Sequence, residues 1–176
     1  GVTLKTAWFM SHRIREAMRE GGLLPFGGDS GAVEVDETFI GNDRSIKPKG
    51  QKKGRGYHHK FKVLSLVDRK SGRARSMVVD NLKASTIAPI VRANLAQEAR
   101  LMTDEAAYYT EVGKEFPSHG IVHHGKGEYV RGDNHTNTIE GFFSIFKRGM
   151  KGVYQHCAEA HLHRYLAEFD FRYNER

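Results

Sequence analysis

The stretch HKFKVLSLVDRKSGRARSMVVDN, residues 59–81, decides the fold. Its two halves, HKFKVLSLVDR (59–69) and ARSMVVDN (74–81), read as strands, and KSG (70–72) between them is a tight-turn sequence. On the N-terminal side, AVEVDETFI (32–40) sets Val33 and Val35 against Glu34 and Asp36, the period-two alternation of a third strand. These three runs predict an antiparallel meander. On the C-terminal side, ASTIAPIVRANLAQEA (84–99) has helical spacing. Ser85 or Thr86 is placed to cap it, Ile87, Ile90, Val91 and Leu95 form its buried stripe, and Pro89 is expected in the first turn. RLMTD (100–104) reads as a short strand ending on Asp104, EAAYYTEVGKEF (105–116) as a helix, and GIVHH (120–124) as a last strand. GKGEYVRGDN (125–134) reads as a loop before two final helices, the second starting near Ala158 and burying Leu162, Tyr165, Leu166 and Phe169. A meander followed by alternating helix and strand predicts an α/β domain with a mixed five-stranded central sheet flanked by helices.

Bulk properties narrow the function classes. A chain of 176 residues, 39% hydrophobic and 28% charged, is most simply one soluble globular domain. No apolar run reaches the length of a membrane span and no signal peptide opens the chain. The single cysteine, Cys157, excludes an internal disulfide and points to a reducing compartment, the cytosol or the nucleoid. With Gly1 first and no initiator methionine, the chain is expected to be part of a longer protein. The net charge of +7 is localised: Arg44 to Lys62 carries eight Lys or Arg and no acid, which leaves 20 basic against 21 acidic residues elsewhere. Such an arm, a basic insertion at 41–60, is the footprint of a polyanion partner, most simply nucleic acid. A solvated loop that aids solubility is the alternative. Residues 1–22 read as a loop and a basic amphipathic helix, with Thr3 as N-cap, Trp8, Ile14 and Met18 as apolar stripe and Gly21-Gly22 as its end. They resemble the tail of a helix-turn-helix, joined by a Gly-rich linker at 23–31.

Three acids stand out. Asp36 sits inside an apolar strand, where a charge is costly unless something answers it. Asp104 ends a buried strand, where ligands collect in open α/β sheets. Glu140 lies on a helix whose ridge also carries Asn137, Ser144, Lys147 and Lys151 at helical spacing. Carboxylates gathered from two strands and a helix repel one another unless a cation neutralises them. Hard oxygen donors suit Mg²⁺ or Mn²⁺, and two such ions can drive phosphodiester chemistry.

Asp, Asp, 35 residues and Glu, with Lys seven positions on, resembles the DDE catalytic domain of transposases and retroviral integrases. VEVDETFIG (33–41), LMTDEAAYY (101–109), EYVRGDNHTNTIEGFFSIFKRGMKGVYQH (128–156) and HLHRYLAEFDFRYNER (161–176) resemble blocks of one bacterial insertion-sequence transposase group. The resemblance implies an RNase H-like three-layer domain over 32–176, with Asp36 on the first strand, Asp104 just after the fourth and Glu140 on a helix closing the site. It implies Mg²⁺ or Mn²⁺, two ions, held by Asp36, Asp104 and Glu140 with Asn137 as accessory or alternative third ligand. It further implies DNA cleavage by water, strand transfer by a 3′-hydroxyl, and a homodimer acting on paired transposon ends. Expected DNA contacts are His135, Lys147, Arg148 and Lys151, with Lys47, Lys49, Lys52, Lys53 and Arg55 of the basic arm. Full-length relatives carry a zinc ribbon and a complete helix-turn-helix. This chain has no CxxC and only the tail of the latter, so recognition of transposon ends is not expected of it alone.

Plainer readings compete with each assignment. Asn137 and Glu140 fit a capping box; Asp36 fits a structural acid paired with an arginine; Asp104 fits a cap for the following helix. Lys147 fits a solvated helix face. Glu34, Glu37 and Glu105 flank the candidate ligands, and Glu34 suits either a supporting acid or a salt bridge. HCAEAHLH (156–163) invites zinc but lacks a matching partner. Phe142, Phe143 and Phe146, continued by Ile139 and Met150, read as core rather than as a base-stacking platform.

Overall fold

A computed structural model of the protein describes residues 1–19, 21, 24–42, 57, 59–123, 130–131 and 134–176. Strands β1 (Ala32–Ile40), β2 (Phe61–Asp68), β3 (Ala74–Val79), β4 (Arg100–Asp104) and β5 (Ser118–Val122) form one sheet in the order β3-β2-β1-β4-β5. The first three pair antiparallel and β1-β4-β5 pair parallel, the mixed sheet expected from the sequence. The 70–72 turn closes as predicted: Gly72, at φ +68°, donates its N–H to the Asp68 carbonyl at 2.8 Å. That positive φ is open to glycine without steric cost.

Helices cover both faces. Alternation along β1 sends Val33 and Val35 to one side, where they pack with Leu64, Leu66 and Leu101 under α2 (Ala84–Asn94) and the single turn α3 (Thr110–Gly113). Ile40, in phase with Glu34 and Asp36, faces the other side and the helices α4 (Asn137–Gly149) and α5 (Glu159–Asn174). There Phe146, Met150, Leu162, Leu166 and Phe169 pack on Phe61 and Val63, and Ile139, Phe142 and Phe143 pack with Val67 and Tyr173. The phenylalanine stripe is therefore core. No helix of the described residues is long and apolar enough to cross a membrane.

Helix α1 (Leu4–Ala17) is capped by the Thr3 hydroxyl, which accepts from Thr6 N–H at 3.2 Å. Its buried face is not the predicted stripe, since Trp8 and Ile14 remain 49% and 55% exposed. His12 is buried instead, against His161 and Tyr165 of α5, and Arg15 donates to Glu168 at 2.8 Å. The outer face of α5 is aromatic and acidic, so a histidine and an arginine dock on it better than aliphatic groups do. Phe26, within the Gly-rich stretch, is buried and bridged to Leu95.

Other departures have local causes. α2 stops at Asn94, because Phe26 takes up the Asn94 carbonyl and the Ala96 N–H. Neither Ser85 nor Thr86 caps it. Asn81 accepts from Lys83 N–H and the Thr86 hydroxyl just before the helix, and Pro89 falls in the second turn. Residues 105–116 are not one helix but a 3₁₀ turn (Ala107–Tyr109) followed by α3. The predicted loop before α4 contains a small ladder, β6 (Val130–Arg131) with β7 (Asn134–His135). α4 runs into a π-helical turn, Met150–Tyr154.

Gly149 lets α4 approach α5: a Cβ built there would lie 2.4 Å from the Phe169 ring. Gly149→Ala is expected to destabilise by about 1–3 kcal/mol through overpacking, measured as a lower urea midpoint at unchanged slope.

Candidate active site

The register of β1 on β4 builds the site. The parallel ladder pairs Val33 with Leu101 and Glu34 with Met102, and stops there. One further step in the same phase sets Asp36 level with Asp104, just beyond the last paired position of the two strands. β1 is also where the sheet changes from antiparallel to parallel pairing, the kind of position at which α/β sheets bind ligands. Carboxylate oxygens of Asp36, Asp104 and Glu37 lie within 4.8 Å of one another.

Each acid is held in place. Asp36 Oδ1 accepts the Glu37 N–H at 2.8 Å, and Asp104 Oδ1 accepts the Ala106 N–H at 3.0 Å. Asp104 thus makes the local capping contact open to an aspartate at that position and still belongs to the cluster. The Tyr109 hydroxyl donates to Glu37 at 3.1 Å. No arginine pairs with Asp36 among the described residues. Burial, then the charges of Glu37 and Asp104, raise the Asp36 carboxyl well above the ordinary aspartate range. Burial likewise raises Glu37. The acids are close, partly desolvated and mutually repulsive, which is the electrostatic condition of a cation site.

α4 forms the other wall. Glu140, Phe143, Ser144 and Lys147 line the cleft together with Asp36, Glu37 and Thr38. Glu140 accepts the Thr136 hydroxyl at 3.0 Å. Asn137 is exposed and does not line this cleft. Helix α4 begins at Asn137 after Thr136, so the Asn137–Glu140 capping box does not form. Lys147 is not simply solvated: it is half-buried, and burial, then neighbouring Lys151, lowers its pKa. Lys151 and Arg148 are exposed. His135 is engaged by Arg69, which bonds its carbonyl at 2.6 Å and its Nδ1 at 3.0 Å. Lys47, Lys49, Lys52, Lys53 and Arg55 lie outside the described residues.

The sequence marks Glu37 and Glu34 only as acids beside the candidate ligands. Glu37 alternates with Asp36 and belongs by strand period to the opposite face. It joins the cluster because the β1–β4 ladder has ended, and no residue marks that end. Glu34 takes the salt bridge of its two expected roles, with Arg69 at 2.6 Å. The histidines of 156–163 form no metal-spaced cluster among the described residues. His161 packs on Trp8 and His12, and His163 faces Glu16.

Comparison with known proteins agrees with this architecture. The catalytic core domain of BIV integrase superposes with a TM-score of 0.50 at 14% identity, over 78% of this chain and 80% of that one. The catalytic core of HTLV-2 integrase in complex with magnesium gives a TM-score of 0.46 at 16% identity, over 85% of this chain and 85% of that one. The superposition on the BIV core shows that the sheet and its flanking helices have the RNase H-like fold of integrase cores. An uncharacterized protein in transposable element ISH50 of Halobacterium salinarum (strain ATCC 700922 / JCM 11081 / NRC-1) is 27% identical over 154 residues, 81% of this chain. The chain spans about half the length, 52%, of that relative. Residues 30–174 match the model of the ISXO2-like transposase domain, and the chain belongs to that family of DDE transposases.

Proposed function

We propose that this domain cuts DNA strands and joins the cut 3′ end to a new site, using divalent metal ions. The approach of Asp36 and Asp104 from separate strands, with Glu140 on the facing helix, carries the reading. The donor set is all carboxylate, its repulsion is unrelieved by any arginine at Asp36 among the described residues, and it suits Mg²⁺ or Mn²⁺. Asp36, Asp104 and Glu140 would hold two ions, with Glu37 beside them. When bound, such ions activate the attacking water or hydroxyl and stabilise the leaving oxygen. Backbone N–H groups fix the rotation of both aspartates, and the Tyr109 hydroxyl fixes Glu37. Lys147, on the same ridge as Glu140, holds a phosphate at the cleft, and Arg148, Lys151, His135 and the basic arm extend the DNA path. The domain works on DNA in the cytosol or nucleoid, as a homodimer on paired ends. Residues 1–22 belong to a DNA-binding region.

Incubation with Mg²⁺, plasmid and labelled oligonucleotide is expected to yield both nicked and joined products. Hydrolysis without joining favours a nuclease, and DNA binding without either reaction favours a non-catalytic module. Glu140→Gln is expected to lower cleavage by about 10²-fold, and Asn137→Ala by less than about tenfold. The reverse order transfers the third ligand to Asn137.

A further inference from the structure

We propose that Glu34 and Arg69 are positioning residues that set where α4 lies on the sheet, and through it where Glu140 and Lys147 stand relative to Asp36 and Asp104. Their effect on turnover rests on the catalytic role proposed for those acids. Glu34 lies two residues before Asp36 on the same face of β1, and its side chain is fully buried. A carboxylate in such a place is costly unless both oxygens are answered. One accepts Arg69 Nε at 2.6 Å; the other accepts the backbone N–H of Ile139, in the first turn of α4, at 2.8 Å. The first amides of a helix lack intrahelical partners and carry the positive end of its dipole. Thr136, at the N-cap, gives them no side-chain bond. The cap comes from the sheet instead.

Arg69, the first residue after β2, extends the same network to the chain entering α4 by donating to the His135 carbonyl at 2.6 Å. The end of β2, the start of β1, β7 and the start of α4 are therefore tied by one charged cluster centred on the buried Glu34. Packing of Ile139, Phe142 and Phe146 holds α4 down, but apolar contact is non-directional. A guanidinium fork and a carboxylate on a helix amide fix distance and rotation together.

Glu34→Leu removes the acceptor from the Ile139 N–H, and the neutral pair Glu34→Leu with Arg69→Met provides a second variant able to fold without a buried charge. In metal-free, DNA-free protein, both are expected to speed amide hydrogen exchange at Ile139 roughly 10- to 100-fold while β1 and β2 amides stay protected. Unchanged exchange at Ile139 in a folded variant overturns the proposal. In the cleavage assay, the neutral pair is expected to lower kcat about 10- to 100-fold at unchanged KM for DNA, and adding Glu140→Gln is expected to cost little more. Full additivity of the two losses overturns it as well. If wild-type protein cleaves nothing, the catalytic reading falls separately, and the exchange data still decide whether Glu34 holds α4.

Discussion

Asp36→Asn is expected to reduce Mg²⁺-dependent DNA cleavage by on the order of 10³-fold while DNA affinity changes less than about threefold. The asparagine keeps the shape and can still accept the Glu37 N–H, so the fold is retained. What it removes is the charge at the centre of the cluster. Binding depends on other groups, Lys147 and the basic residues, which the substitution leaves alone. A nicking assay and a filter-binding titration on the same preparation check both halves. Cleavage within tenfold of wild type rejects Asp36 as a metal ligand. Metal-free stability should move the opposite way. The folded Asp36 pKa lies above its unfolded value of about 4, because burial and neighbouring acids disfavour the charge. Such a group adds stability that is complete below the unfolded pKa and lost as pH rises through the folded one. The melting temperature of Asp36→Asn is therefore expected to exceed that of wild type at pH 7 without metal. The gap should close as pH falls toward 4.

Mn²⁺ is expected to stabilise the wild-type protein strongly and Asp104→Asn hardly at all. Binding to the folded state alone adds about 2.7 kcal/mol at 100 times Kd. For a chain of this length each kcal/mol raises Tm by about 2–4 °C, so a rise of about 5–10 °C should appear by calorimetry. The size of the effect follows from the site: an ion supplies attraction and also removes repulsion between carboxylates whose oxygens lie within 4.8 Å. A rise that persists undiminished in Asp104→Asn places the ion elsewhere.

Much of this architecture is legible in the sequence, for physical reasons that differ by element. β1, β2 and β3 alternate or run apolar, and KSG demands a turn, so the meander follows from local chemistry. The buried stripe of α5 is periodic and reads directly. The face of α1 is misread because hydrophobicity picks out Trp8 and Ile14, whereas the partner helix presents Glu168 and Tyr165, which a one-dimensional pattern cannot reveal. Residues 105–116 look helical by composition, yet Ala106 is extended with its N–H on the Asp104 side chain, and only a 3₁₀ turn and the short α3 follow. Asp36 and Asp104 can be singled out as acids in apolar strands. Glu37 and the Glu34–Arg69 link cannot, because both depend on where a parallel ladder stops and how a helix end meets the sheet.

The same ladder has a bearing on how the molecule comes into being. β1 meets β4 only after the meander and α2 have been synthesised, and α4 follows later still. Contacts between distant parts of a chain form slowly and after loop closure has been overcome. A nascent or truncated product ending before residue 100 contains Asp36 but neither of its partners from β4 and α4. If the domain cuts and joins DNA as proposed, a product that ends before Glu140 lacks one of the three acids and is not expected to break DNA.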